Sequence, residues 1–180
     1  MPDSPDRPRS PILIAALIIL AAAPLLFTIV TIAERGVNMP YGDEIDASAP
    51  IALRAARGEG VPLEWLFAPH NEHRIVTQRL VTILLAGLTR WNLIAESLMS
   101  VLAAAISLAL VVATARRTGA PAWAILLPCA VLIFAPQQES NWLWGFQSVW
   151  FYTAIFSFGA VYLLTSPKRG WLALGGAVVC

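Results

Sequence analysis

The sequence predicts an all-α protein: a polytopic bundle of transmembrane helices with a large outer first loop that contains short surface helices. Three observations lead to this fold class. Hydrophobic residues make up 58% of the chain, charged residues make up only 13%, and the mean hydropathy is +0.69. A soluble domain has about 45–50% apolar and about 25% charged residues. Several apolar runs also approach or exceed the length of a membrane helix, and polar segments separate them.

Charge and cysteine content narrow the class of protein further. The formal net charge of +1 gives no support for nucleic-acid binding, which needs a basic face. The apolar composition predicts membrane lipids as partners instead. Cys129 and Cys180 both lie in apolar runs without metal-ligand spacing, which is typical of packing residues.

The first membrane helix is predicted at residues 12–33, an uninterrupted apolar run of 22 residues. Residues 1–11 hold four prolines and two arginines, which predicts a disordered cytoplasmic tail. The arginines before the run place the N-terminus in the cytoplasm and residues 34–74 outside. A cleaved signal peptide is the alternative, but such peptides carry only about 7–15 apolar residues.

The outer loop, residues 34–74, contains two segments that resemble surface elements. Residues 51–57 have apolar side chains at helical spacing and two arginines, which predicts a short amphipathic helix ended by Gly58 and Gly60. Residues 63–67 carry aromatic side chains, which favour the membrane interface.

Residues 75–180 are predicted to supply further membrane helices of the same bundle, giving about four or five in all. The apolar runs lie at 75–88, 93–115, 120–135 and 148–165, and the final run at 170–180 stops after about two turns. We therefore expect the protein to continue beyond it. If residues 75–90 cross the membrane, Arg116 and Arg117 fall outside. If they do not, the positive-inside rule is obeyed and residues 137–147 join the outer loop.

Asp43 and Glu44 are the first candidates for chemistry. Neighbouring side chains in an extended loop point apart, so these two carboxylates would not form an acid/base pair by themselves. One of them could act as a base, while the other binds a metal or orients a substrate. Two solvated loop charges are the alternative.

The end of the outer loop carries a denser polar cluster. If a helix begins near His70, then His70, His73 and Arg74 share one face and Glu72 lies near its N-terminus. Histidine and carboxylate ligands suit a divalent metal such as Zn or Mn, and Asp43 could complete the set. A polar helix start without a ligand is the alternative.

Arg79 and Glu96 each lie about one turn inside an apolar run. Ionisable groups at membrane depth are costly and often functional. Both residues are near helix ends, so we expect their side chains to reach the interface. If Arg79 faces a cavity instead, a lipid-linked phosphate is its natural partner.

Residues 137–147 combine amides, a carboxylate and tryptophans. Trp144 and Trp142 are typical of an interfacial aromatic belt. An aromatic belt does not account for the amides. Tryptophan together with Gln138, Glu139 and Asn141 also suits a sugar. The sugar ring would stack on an indole, and its hydroxyls would form hydrogen bonds with the polar side chains.

In the order of these features the chain resembles the GT-C superfamily of membrane glycosyltransferases, which includes protein mannosyltransferases and aminoarabinose transferases. Members have a cytoplasmic N-terminus, one span, and an outer loop with an acidic motif directly after that span, where Asp43 and Glu44 stand here. In the family the loop closes with a His-Pro-Pro or Glu-Lys-Pro type of signature. This chain has His70-Asn71-Glu72-His73-Arg74 there, without the proline pair.

The resemblance implies transfer of a sugar from a polyprenyl-phosphate donor to an acceptor (lipid, glycan or protein) at the outer face of the bacterial inner membrane. It makes Asp43, with Glu44, the catalytic carboxylate, and it matches Glu72 to an acid that binds metal in some relatives, so that a divalent metal (Mg, Mn or Zn) is a possible cofactor. Arg74 and Arg79 would bind the phosphate, and residues 137–147 would lie near the donor or acceptor pocket. It also favours a membrane helix at residues 75–90.

Two other classes of function remain open on the sequence. A transporter or flippase for a lipid-linked substrate would have Arg79 and Glu96 along its path. A non-catalytic scaffold would use the outer loop as a docking surface and would tolerate loss of the loop carboxylates.

Overall fold

The computed structural model describes residues 10–165, and the regular structure within them is helical apart from one isolated bridge. Its α-helices are α1 (Pro11–Arg35), α2 (Ala49–Ala56), α3 (Leu63–Phe67), α4 (Val76–Thr89), α5 (Leu93–Arg117), α6 (Ala122–Ile133), α7 (Glu139–Leu143) and α8 (Ser148–Leu164). A π-helical turn, Glu44–Ser48, leads into α2, and the 3-10 turns Pro136–Gln138 and Gly145–Gln147 flank α7. Most of the predicted tail, the predicted final run and the basic pair at 168 and 169 lie outside the described residues.

The all-helical prediction is confirmed, and four stretches are long and apolar enough to cross a membrane. They are Pro11–Arg35, Leu93–Arg117, Ala122–Leu143 and Gly145–Leu164. The surface helix predicted at residues 51–57 corresponds to α2, and Gly58 follows it at φ +71°, a left-handed conformation that suits glycine at a helix end. The segment 63–67 forms the short helix α3.

α5 is the central helix of the bundle and packs against α8, α6 and α1. Its buried face consists largely of small residues, which let neighbouring helices approach closely. These are Ser97, Ser100, Ala103, Ala104 and Ser107. Trp142 is also in this core, 1% exposed, with its ring 5.7 Å from that of Phe134 and 4.5 Å from that of Phe151. Trp142 is therefore a core residue and not part of an interfacial belt.

α4 does not cross the bundle. Its 14 residues cover about 21 Å, which is short of the roughly 30 Å hydrocarbon core. Gln78, in its first turn, donates a hydrogen bond to Ser48 (3.4 Å), while Leu93, just beyond its end, donates its N–H to Asn38 (2.8 Å). Both ends of α4 thus contact the residues that follow α1, and α2 packs along it. α4 therefore lies beside α2 at one end of the bundle, which agrees with the arrangement in which residues 75–90 do not cross the membrane.

We call the end of the bundle at which α1 stops and α5 begins the loop end. Residues 137–147 are at this end too, because Arg35 pairs with Glu139 (2.6 Å) and Trp144 Nε1 donates to the Tyr41 carbonyl (3.1 Å). Arg117 is at the opposite end, where it donates to the Tyr162 carbonyl (2.8 Å). The two polar segments therefore share one end, as the second of the two sequence-based arrangements requires.

Candidate functional site

The two ends of the outer loop meet at Asp43 and His70. The distance between Asp43 Oδ2 and His70 Nε2 is 3.5 Å, an ion pair when the imidazole is protonated. The Asp43 side chain is 49% exposed, and the His70 side chain, 17% exposed, packs edge-on against Phe146 at 5.3 Å between ring centroids. A half-exposed carboxylate beside an oriented imidazole is a suitable arrangement for accepting a proton from a bound hydroxyl.

His70 and His73 close a tight turn, which replaces the helix start expected from sequence. Each donates its backbone N–H to the carbonyl of the other, at 2.8 and 3.0 Å, and Asn71 between them has φ +51°. The helix begins only at Val76. His73 and Glu72 are exposed, and Glu72 lies in the turn and not at a helix N-terminus. The turn explains why His70 alone of this cluster packs inward beside Asp43.

Glu44 points away from Asp43 into the interior and is 2% exposed. Its Oε2 accepts the backbone N–H of Tyr41 at 3.0 Å, and its Oε1 accepts that of Phe146 at 3.1 Å. Burial raises the pKa of the Glu44 carboxyl above its usual value, while these two N–H groups lower it in part. Glu44 therefore joins the start of the outer loop to the turn that precedes α8. In the chain, Asp43 lies between Glu44 and Tyr41, one of these two donors.

Glu96 is buried beside Glu44, 2% exposed. A Cβ atom added at Gly145 would lie 3.3 Å from Glu44 Oε1 and 3.4 Å from Glu96 Oε2, so both carboxyl groups border one small space. The side chains of Thr82 and Trp91 lie near Glu96, yet neither Glu96 oxygen has a hydrogen-bond partner among residues 10–165. The expectation that Glu96 reaches the interface is wrong, because the bundle closes over it.

Arg79 and Arg74, both predicted to bind phosphate, have different surroundings. Arg79 is 5% exposed, and its Nη1 donates to the carbonyls of Trp65 (2.7 Å), Leu66 (3.3 Å) and Ala68. It thereby satisfies the C-terminal carbonyls of α3 and does not reach the interface. Arg74 is exposed, and only its Nη1 is engaged, by the Phe67 carbonyl at 2.9 Å.

The predicted sugar-binding residues of 137–147 are mostly engaged within the protein. Gln138 Nε2 donates to the last carbonyls of α6, at Leu132 (2.9 Å) and Ile133 (3.2 Å), and the Asn141 amide lies 3.5 Å from Gln138 Oε1. Glu139 forms the ion pair with Arg35. These contacts explain the presence of the Gln138 and Asn141 amides, which an interfacial aromatic belt does not explain.

Trp144 is the member of this segment that lies next to the candidate base. Its ring packs edge-on against Tyr41, with centroids 5.6 Å apart, and lies 5.8 Å from Phe146. Gly42 has φ +55°, and a Cβ there would approach Trp144 to 3.0 Å, so the chain needs glycine at this position. Tyr41, Trp144 and Phe146 thus form an aromatic wall beside Asp43 and His70.

The metal prediction named Asp43 and Glu72 as ligands. Across residues 10–165, no three His, Cys, Asp or Glu side chains are grouped closely enough to hold a metal ion. Asp43 has only His70 beside it. We assign no metal to these residues and derive no step through one.

A cavity of about 140 Å³ opens between α4 and α8. Its polar lining includes Arg74, Thr77, Gln78 and Tyr152, and its apolar lining includes Val149 and Phe156. Ile75 also lines it and packs with Phe146, the ring that supports His70. Ile75 and Phe146 therefore connect the wall of this cavity to His70 of the Asp43–His70 pair.

Sequence reasoning missed the interior part of the site. Glu96, Gln78, Thr82 and Tyr152 come from three different helices and are all less than a tenth exposed. The sequence did contain one signal for this part of the site. Glu96 is a single acid in the otherwise apolar run at residues 93–115. An acid at membrane depth indicates a functional role or a partner.

No protein-family model, curated protein or solved structure matches this chain. The function must therefore be argued from the geometry of the site.

Proposed function

We propose that the protein is a membrane glycosyltransferase of the GT-C type that moves a sugar from a polyprenyl-phosphate donor to an acceptor hydroxyl, with Asp43 as the base. The observation that carries the proposal is the 3.5 Å approach of His70 to Asp43. It joins the acidic motif after the first span to the histidine motif that closes the loop, the two features on which the resemblance rests.

In the proposed reaction, the Asp43 carboxylate accepts the proton of the acceptor hydroxyl. The hydroxyl oxygen attacks the anomeric carbon of the sugar, and the bond between that carbon and the phosphate oxygen breaks. The electron pair of that bond leaves with the polyprenyl phosphate. His70 orients the carboxylate, as the partner of a catalytic base commonly does. Glu44 is buried and engaged by two N–H groups, so it holds the loop in place and is not the base.

The cavity between α4 and α8 offers a place for the donor. Arg74 at its rim has guanidinium N–H groups beyond the one that meets Phe67, and they would bind the phosphate. Ile75, Val149 and Phe156 provide apolar contacts for the first isoprene units. Arg79 lines a different cavity, beside Asp46 and Trp65, and its Nη1 is engaged by the α3 carbonyls, so Arg74 is the better candidate for stabilising a phosphate that leaves from the cavity between α4 and α8.

The proposed location is the bacterial inner membrane, with the N-terminus in the cytoplasm and the loop end outside. Arg116 and Arg117 stand at the end of α5 that is away from the outer loop. In this orientation they face the cytoplasm, as the positive-inside rule favours.

The test is a turnover assay of the protein in lipid nanodiscs with a panel of radiolabelled polyprenyl-phosphate sugars. We expect release of polyprenyl phosphate from wild type and a loss of roughly 10²–10⁴-fold in Asp43→Asn, the usual contribution of a general base. Asp46→Asn is the matched control, because Asp46 is an exposed carboxylate in the adjoining turn and should keep wild-type turnover.

Turnover in Asp43→Asn equal to wild type would refute the role of Asp43. Donor binding without turnover in wild type would point instead to a transporter or flippase, and absence of both binding and turnover would favour a scaffold.

A further inference from the structure

The interior of the loop end holds two carboxyl groups that have no cationic partner in the described structure. Glu44 Oε1 and Glu96 Oε2 border the same space above Gly145, and both side chains are 2% exposed. No basic side chain between residues 10 and 165 lies within ion-pair distance of either group. The guanidinium of Arg79, which is also buried, donates its Nη1 to the carbonyls at the end of α3 and forms no ion pair with either glutamate.

The groups that lie near this pair in the described part of the chain are neutral, and they come from α4, α8 and the two adjoining turns. α4 supplies Thr82, whose hydroxyl accepts a hydrogen bond from Gln78 at 3.1 Å and lies near Glu96 without bonding to it. The turn before α5 supplies the Trp91 indole, and α8 supplies the Tyr152 hydroxyl. The turn before α8 supplies the Phe146 N–H, which goes to Glu44.

The two carboxyls differ in their donors. Glu44 accepts a backbone N–H on each oxygen, and such bonds favour the charged form. Both oxygens of Glu96 are sealed from solvent and have no hydrogen-bond partner within residues 10–165. An isolated charge in that position is strongly unfavourable, and a charged neighbour of the same sign makes it more so.

We propose that Glu96 carries a proton at neutral pH while Glu44 is ionised, so that the two carboxyls form a single buried proton-binding site. The site has a structural consequence. Glu44 accepts the backbone N–H groups of Tyr41 and of Phe146, the ring that packs against His70, and a second negative charge at Glu96 would repel Glu44 and loosen those contacts. The bound proton therefore keeps the start of the outer loop in place. This inference stands whether or not the protein is a transferase.

Infrared spectroscopy of the protein in nanodiscs of uncharged lipid tests the proposal directly. A protonated carboxylic acid has a carbonyl stretch that a carboxylate lacks, and this band moves in deuterated buffer. We expect the band at neutral pH in wild type, its loss in Glu96→Gln, and its retention in the control Glu59→Gln, which removes an exposed ion-paired carboxylate. A wild-type spectrum without the band, or a band that survives Glu96→Gln, would overturn the assignment.

Glu44→Gln provides a second variant should Glu96→Gln fail to fold. We expect it to keep the band, because Glu96 then remains as a lone buried acid. Loss of the band in Glu44→Gln would place the proton on Glu44 and contradict the proposal.

A metal cation is the rival occupant of the space between the carboxyls. The thermal unfolding midpoint of wild type and of Glu96→Gln is compared in sodium, magnesium and choline chloride at equal ionic strength. We expect no ion-specific difference. Stabilisation of wild type by sodium or magnesium that disappears in Glu96→Gln would show a cation site in place of the proton.

Discussion

Asp43 and Glu44 are neighbours in the chain, but they belong to two different regions of the molecule. The Asp43 side chain is half-exposed and pairs with His70 at the surface of the loop end. Glu44 is sealed inside, where it accepts two backbone N–H groups and meets Glu96. An adjacent acidic pair can therefore divide its tasks, with one carboxylate open to solvent and the other holding the backbone around it.

The largest expected difference between Asp43 and Glu44 is in how much each contributes to the free energy of unfolding. Glu44→Ala leaves the N–H groups of Tyr41 and Phe146 without a partner, and each such loss costs about 1–3 kcal/mol. We expect the free energy of unfolding to fall by roughly 2–4 kcal/mol for this variant. Asp43→Ala should change it by about 0.5 kcal/mol or less, as surface substitutions usually do. Denaturant unfolding in detergent micelles measures both, and equal losses would contradict the division of tasks.

Gly145 tests how tightly the interior region is packed. A Cβ at this position would lie 2.8 Å from Glu96 Cβ and close to both carboxyl groups, so Gly145→Ala must displace them. We expect it to lower the free energy of unfolding by about 1–3 kcal/mol, as overpacking does. Gly60→Ala is the matched control, since nothing lies within 4 Å of its added Cβ. If the two variants have the same unfolding midpoint, the carboxyls are not in contact across Gly145.

The smallest effect concerns pH. Burial raises the pKa of Glu44 above its value of 4.5 in the unfolded chain, so the folded protein holds this proton to a higher pH. Above pH 4.5 the unfolded state releases the proton first, and the stability associated with Glu44 decreases as pH rises toward its folded pKa. We expect the thermal midpoint of wild type to decline over this interval more steeply than that of Glu44→Gln. A decline that is identical in the variant would show that other groups cause it.

The sequence predicted much of the fold and only the outer part of the site. The helices at residues 12–33, 51–57 and 93–115 were evident because apolar composition and helical spacing are local properties. The pairing of His70 with Asp43 could have been predicted, since both residues were already candidates for the site. The turn at His70–His73 was not, because asparagine favours a left-handed turn position only weakly by itself and the backbone bonds across the turn fix it.

Three further differences come from contacts between segments that are distant in sequence. Arg79 lies at the end of α3, and Gln138 lies at the end of α6, because each helix leaves terminal carbonyls that need donors. Trp142 is enclosed by Phe134 and Phe151 instead of lying at an interface. None of these partners can be chosen from the sequence, where several donors and several apolar surfaces compete.

The sequence by itself predicted an all-α chain with about four or five segments apolar enough for a membrane, since that follows from how many apolar residues occur in a row. Only the tertiary structure decided that α4 lies across the loop end, that Asp43 faces outward while Glu44 faces inward, and that Glu96 meets Glu44 above Gly145. Those outcomes depend on which surfaces α4, α5 and α8 bury together, and burial is a property of the packed bundle.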